Sequence, residues 1–224
     1  LNQSDIRTRI LDGLNDSNTA PRFWTLTQIN DIIDEAAEVL AEEAGAIRRS
    51  AIFSLKPGKQ YYYIQEIAQD MMVPYRFWMT NLNRRLVAIS MSDLDQTNQR
   101  WVDVFGTYPE YWFPVSWNLF GIYPRVATLS EAIRCDYIAW PKALMDDDDE
   151  PEFNGTDQDM LVQYGIYDGL LKRWDSEQAT AMLPKLASMI SRASARAGIW
   201  RTDAREFRVS QTTDESYRTG IGRR

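Results

Sequence analysis

The sequence predicts an α+β fold: long antiparallel helices with an inserted small antiparallel β domain and an extended C-terminal tail. Three observations lead there. Apolar residues recur at helical spacing before residue 46 and again after residue 155. Between these stretches lie short apolar and aromatic runs broken by Pro, Gly and Asn, the texture of an antiparallel sandwich or barrel. Beyond residue 198 no period is sustained. The organisation read from this is N-terminal helices over 1–46, an inserted β-rich domain over 47–155, C-terminal helices completing the bundle over 156–198, and a basic, aromatic tail over 199–224.

Ser4-Asp5 reads as a helix start, with Ile6, Ile10, Leu11 and Leu14 on one side. Gly13 and the Asn15–Asn18 cluster end it. Thr25-Leu26-Thr27-Gln28 is a capping box, in which hydroxyl and amide satisfy otherwise unpaired backbone N–H groups. The helix it opens runs to about Ala44 and closes on Gly45. Leu26, Ile29, Ile33, Ala36 and Leu40 form its apolar face. Asp31, Glu35, Glu38 and Glu42 form an acidic stripe on another face, flanked by Asp34 and Glu43. No Lys or Arg occurs between 23 and 47, so the helix offers these carboxylates no partner of its own. Like charges at this spacing weaken an isolated helix slightly. The stripe is a solvated face, a surface for a partner, or a wall along which a polyanion passes.

The middle reads as strands. Ile47–Leu55 and Tyr61–Ile64 flank the turn signal Lys56-Pro57-Gly58-Lys59. Val73–Met79 and Leu86–Ile89 flank Thr80-Asn81-Leu82-Asn83 as a second hairpin. Ser92-Asp93-Leu94-Asp95 opens a short helix ending near Trp101. Tyr111–Val115, Trp117–Tyr123 and Ala132–Trp140 are further strands, with Tyr123, Tyr137 and Trp140 expected to be buried. The run Asp146–Glu150 before Pro151 is an acidic loop. It lacks the alternating ligands around a glycine that a calcium loop needs, so no metal is expected.

Helix returns at Thr156, with Met160, Tyr164, Tyr167, Leu171 and Trp174 as a stripe expected in the core. Asp175-Ser176 caps a last helix whose apolar side is Ala179, Leu183, Leu186, Ile190, Ala193 and Ala197. Pro184 should kink or restart it, and Gly198 ends it. The tail sets Trp200, Phe207 and Tyr217 among Arg201, Arg205, Arg208 and Arg218. These residue types are enriched at binding hot spots, so the tail reads as a segment that orders on a partner.

Composition narrows the chemistry. The 224 residues contain no His and one Cys, Cys135. Ser-His-Asp, Cys-His and His-rich zinc sites therefore have no residues to build them. No cofactor is expected. Eight Trp, 11 Tyr and eight Phe suit packing and assembly instead. No apolar run approaches the about 20 residues of a membrane helix, and the start, Leu1-Asn2-Gln3-Ser4-Asp5, lacks the pattern of a signal peptide. Net charge is −7, with 16 Lys/Arg against 28 Asp/Glu up to residue 183 and nine against four after it. An acidic body with a basic end can attract an acidic partner or a second copy, whereas the basic footprint of a DNA-reading protein is missing.

Several residues, in their order, carry a resemblance. Phe23-Trp24-Thr25 precedes a long helix ending in an Ala/Glu-rich turn. Val73-Pro74 leads to Leu86-Val87-Ala88-Ile89. Trp101 is followed by Gly106 and Pro109-Glu110-Tyr111-Trp112. Leu119-Phe120-Gly121-Ile122-Tyr123-Pro124, Tyr137-Ile138-Ala139-Trp140-Pro141 and the Tyr164 helix follow. Over about residues 20–195 the chain resembles the head-to-tail connector, or portal adaptor, proteins of tailed bacteriophages. It departs from them where they often carry His at the start of the return helix and this chain has Asp157-Gln158-Asp159. The resemblance implies a structural virion protein of the neck, made in the host bacterial cytoplasm, with no enzymatic activity. It implies a homo-oligomeric ring, typically of twelve copies, that binds under the portal protein and extends the DNA channel. It also implies an attachment platform for the tail or nozzle protein and non-specific passage of double-stranded DNA, with no membrane involved. The alternatives are another neck or tail-completion protein of the nozzle type, or a cell-wall hydrolase working with two carboxylates.

Overall fold

Thr25 decides where the second helix begins. Its hydroxyl accepts from Gln28 N, and the Gln28 side chain accepts in return from Thr25 N at 2.9 Å. Helix α2 (Leu26–Ala44) then runs to Gly45, whose φ of 54° suits a residue without Cβ. Ile29, Ile32, Ile33, Ala36, Ala37, Leu40 and Ala41 are buried on it, whereas Leu26 is half exposed and does not join the face expected of it. The structure, a computed structural model, describes residues 1–17, 22–127 and 132–199; the side chains of Thr156 and of residues 197–199 are not among those described. The tail residues Trp200, Arg201, Arg205, Phe207, Arg208, Tyr217 and Arg218 thus lie outside the described residues.

The chain divides into two units. Residues 1–47 with 139–199 form a helical unit, and residues 48–138 form a β unit. In the helical unit α1 (Gln3–Gly13) starts one residue earlier than Ser4 implies, because the Asn2 side chain is its cap. Helices α4 (Gly155–Lys172) and α5 (Ser176–Ile199) complete this unit. Lys185 donates to Gln163 at 2.9 Å, and Arg196 pairs with Asp157, so α5 touches α4 along much of its length. Pro184 sits inside α5 without ending it.

The stripe expected to bury α4 is displaced. Met160 is buried, but Tyr164 and Tyr167 are half-buried and Leu171 and Trp174 are exposed. The buried face is Leu161, Val162, Ile166 and Leu170 instead, and two glycines explain the rotation. A Cβ at Gly165 would collide with Ile10, and one at Gly169 with Leu14. These glycines let α1 approach the α4 backbone closely, and that contact, not the aromatic stripe, fixes which way α4 faces.

The β unit holds two four-stranded sheets, ordered β1-β10-β3-β4 and β2-β8-β7-β5, and a two-stranded β6-β9 pair. The strands of the first sheet are β1 (Arg48–Ser54), β3 (Met71–Met79), β4 (Arg84–Arg85) and β10 (Ala132–Ala139); those of the second are β2 (Tyr61–Tyr63), β5 (Val87–Ala88), β7 (Tyr111–Ser116) and β8 (Leu119–Tyr123); β6 (Phe105–Gly106) and β9 (Arg125–Val126) make the third. The chain turns back after β3 as expected, but onto Arg84–Arg85, with Trp78 opposite Arg85; Val87–Ala88, within the stretch expected as the returning arm, pairs instead with β7 in the second sheet. The Lys56–Lys59 turn does not make a hairpin. It carries the chain from β1, paired with β10, to β2, paired with β8 in the other sheet. Two pairs, β5 with β7 and β6 with β9, are parallel, which antiparallel patterning does not anticipate. A short helix, α3 (Met91–Thr97), is capped by Ser90.

Aromatic rings join the sheets. Phe53 and Phe77 from the first meet Tyr62, Trp112 and Phe120 from the second, with Phe77 centroids 4.8 Å from Trp112 and 4.7 Å from Phe120. Each buried ring contributes about 1.5–3 kcal/mol through area, with more from tilted contacts. Much of the aromatic surplus is thus core. Tyr137 is buried and Tyr123 half-buried, but Trp140 is 40% exposed, contrary to expectation, because it follows the last residue of β10 and has left the ladder.

Gly121 on β8 tests this core. A Cβ there would overlap the Phe113 ring, which is fully buried and held edge-on by Trp101 at 5.2 Å. Gly121→Ala should cost about 1–3 kcal/mol, read as a lower urea midpoint with an unchanged m-value. A neutral substitution would mean that the ring cluster yields.

Candidate interaction surfaces

Asp31, Glu35, Glu38 and Glu42 are all exposed, on the side of α2 opposite its packed face. One of them has a partner that sequence neighbours could not supply. Lys172, at the end of α4, reaches Glu35 at 2.6 Å and Asp168 at 2.7 Å. The expectation that no cation reaches the stripe is corrected at that residue. Partial burial disfavours the Lys172 ammonium, but its bonds to Asp168 and Glu35 outweigh burial and raise its proton affinity above that of an ordinary lysine. Asp34, beside the stripe, is raised by burial, against a hydrogen bond from the Leu144 backbone.

The acidic loop is tied down. Gln3 N donates to Asp149 O at 2.9 Å and Ser4 N to Asp147 O at 3.1 Å, so the loop satisfies the free amides at the start of α1. Arg7 pairs with Asp147 at 2.8 Å. The Asp149 carboxylate accepts from Met145 N and Asp146 N, and these bonds hold it below the usual carboxylate range. The loop is a cap on a helix rather than a freely solvated run. Among the described residues no group of three or more His, Cys, Asp or Glu side chains is placed to hold a metal ion, and no helix is long and apolar enough to cross a membrane.

A second surface lies where the α1–α2 and α4–α5 connections meet. Asp16, almost fully buried, accepts from Phe23 N at 3.0 Å and Trp24 N at 2.9 Å. Trp24 packs inward, while Phe23 meets it edge-on at 5.0 Å and stays 59% exposed. Arg173 donates to Leu14 O at 3.1 Å, and its guanidinium lies 5.7 Å from the Phe23 ring centroid. The next residue, Trp174, has φ of 67° and is 92% exposed. Sequence periodicity places Trp174 in the core. The Asp175-Ser176 helix start, read from the sequence, already puts Trp174 between two helices, and it outweighs the periodicity.

In the β unit, Arg76 and Arg134 share Asp136, at 2.7 and 3.2 Å, with their guanidiniums 5.6 and 6.0 Å from the Trp78 ring centroid. Arg49 pairs with Asp70, which also accepts from Tyr137 at 3.0 Å. Burial, then the Asp70 bond, pushes the Tyr137 phenol up to about 12. Cys135 is buried, and burial followed by the charge of Asp136 raises its thiol far above a reactive value. A groove of about 390 Å³ opens beside the β7–β8 turn, walled by Ile64, Pro74, Pro114, Val115, Trp117 and Phe120. Trp117 on that turn is 93% exposed, and sequence analysis assigns it only to a strand.

Charge is segregated between the units. The helical unit has nine Lys/Arg and 20 Asp/Glu, a net −11, whereas residues 48–138 have ten and eight, a net +2.

Lys172→Met should cost about 0.2–1 kcal/mol, the range of a solvent-screened pair. A raised folded-state lysine stabilises fully below its unfolded value and ceases to as pH rises through the folded one. The difference from wild type should therefore hold at pH 9 and shrink above the ordinary lysine range in thermal melts. A difference growing with pH would contradict the ion-pair origin.

No curated protein matches the chain. A family model described as SU10 adaptor protein matches residues 1–220, from the first helix through most of the tail. On that match over nearly its whole length, the chain belongs to the SU10 adaptor protein family.

Proposed function

We propose that this protein is a head-to-tail adaptor of a tailed bacteriophage, assembled as a ring of about twelve copies under the portal, with the ring opening continuing the DNA channel and the outer face receiving the tail or nozzle protein. It works as a structural component of the virion neck, made in the host cytoplasm, and not as a catalyst. Membership of a phage adaptor family, matched over residues 1–220, is the observation that carries the reading. Physical features support it. The surfaces that stand out are aromatic and charged ones of the kind used in assembly, at Phe23, Trp117 and Trp174. The one thiol, Cys135, is buried, and burial disfavours its thiolate.

Two surfaces have roles in this reading. The tail, with Trp200, Phe207 and Tyr217 as anchors and Arg201, Arg205, Arg208 and Arg218 as partners for acidic groups, docks on the portal or a neighbouring copy. The family match extends into this tail. The stripe faces the channel: Asp31, Glu38 and Glu42, repeated around a ring, repel phosphates and let DNA slide without sticking.

A chain ending at Ala197 should keep the thermal stability of its two units yet fail to join portal-bearing, DNA-filled heads in a pull-down. Normal joining by the shortened chain would overturn the tail's role. Glu38→Lys with Glu42→Lys, which spares the Glu35–Lys172 pair, should leave particles intact and slow DNA release on triggering. Unchanged release would leave the stripe a solvated face.

A further inference from the structure

Trp174 occupies a position built for glycine. The end of α4 closes with Trp174 N on Leu171 O at 3.0 Å and Asp175 N on Leu170 O at 2.9 Å, a Schellman arrangement whose left-handed residue is most often Gly. A bulky aromatic in that region is strained. The indole gains little from packing among the described residues, because it is 92% exposed. Strain kept at an exposed aromatic points outward, to a contact made with another molecule. Its neighbours fit that role: Arg173 lies over the exposed Phe23 ring, and Trp with Arg is the composition of a binding hot spot.

The β unit offers a complementary feature. The groove beside Trp117 is apolar and, at about 390 Å³, lies at the small end of volumes that enclose compact ligands, suited to an aromatic side chain. Charge selects who brings that side chain. Two helical units facing each other would set a net −11 against a net −11, whereas a helical unit facing a β unit meets a net +2. Charge therefore favours a second copy that brings unlike units into contact.

We propose that Trp174 of one copy seats in the Trp117 groove of the next, joining copies head to tail. This deepens the adaptor reading and rests on it, because a heterologous contact of this kind closes into a ring when its rotation allows. Phe23 and Arg173 border the inserted indole, and Trp117 folds over it.

Two variants test the contact without disturbing the core. Trp174→Gly suits the left-handed turn, and Trp117→Glu changes a side chain already in solvent. Native mass measurement and sedimentation should show wild type assembling beyond a dimer and each variant weakened about tenfold or more in self-association. Trp174→Gly should also melt about 2–4 °C higher as a monomer, since the strain is gone. Mixing the two variants is the decisive step. One keeps the groove and the other keeps the indole, so the mixture should form a 1:1 pair and stop there. A mixture that stays monomeric, or variants that assemble like wild type, would overturn the contact while leaving the adaptor reading standing. A wild-type chain that never self-associates, alone or on isolated portal rings, would overturn the contact.

Discussion

The apolar face of α2 is the constraint on which the rest of this molecule depends. Ile29, Ile33, Ala36 and Leu40 cover one side of that helix, and α1, α4 and α5 all pack against it. A helix packed on that side has only one place for its carboxylates, which is water. The acidic stripe is in this sense a consequence of packing: the core fixes the orientation of α2, and orientation exposes Asp31, Glu35, Glu38 and Glu42 together. Lys172 then answers one of the four, because the glycine-mediated approach of α1 to α4 sets how α4 is turned.

The same economy runs through the β unit. Its two sheets are joined by rings rather than by long aliphatic layers, and Phe77 and Phe120 sit where the sheets meet. Tyr and Trp leave their polar ends toward the periphery: Tyr62 donates to loop carbonyls at Lys56 and Lys59, and Trp101 donates to Asp95 at 2.7 Å. Aromatic richness alone therefore does not mark an interface. The aromatics that the core declines, Trp117 and Trp174, are the ones the proposal places at an interface.

Local chemistry was legible in the sequence, and distant partnership was not. The Thr25 capping box, the Gly45 stop, the turn after β3 and the Ile6–Ile10–Leu11–Leu14 face all arise from residues within a turn or two of one another. The exchange of β1 and β2 between sheets, the parallel β5–β7 pair and the docking of the Asp146–Glu150 loop on α1 depend on residues 24 to 146 positions apart, which no local pattern encodes. The α4 stripe misled for a physical reason: periodicity counts large side chains, while the close contact was made by Gly165 and Gly169, which have none. Of the candidate sites, the stripe's exposure was legible from spacing, its Lys172 partner was not, and the tail lies beyond the described residues.

Segregated charge, strained exposed tryptophan and family membership support the proposal that this chain is a ring-forming adaptor between a phage head and its tail. The most direct measurement is an image reconstruction of the assembled particle at a resolution that traces chains. The account predicts a ring of copies of this 26.0 kDa chain between portal and tail, with the tail segment of each copy leaving its own body for the portal or a neighbouring copy. Finding the chain elsewhere in the particle, or as single copies that do not touch one another, would contradict it.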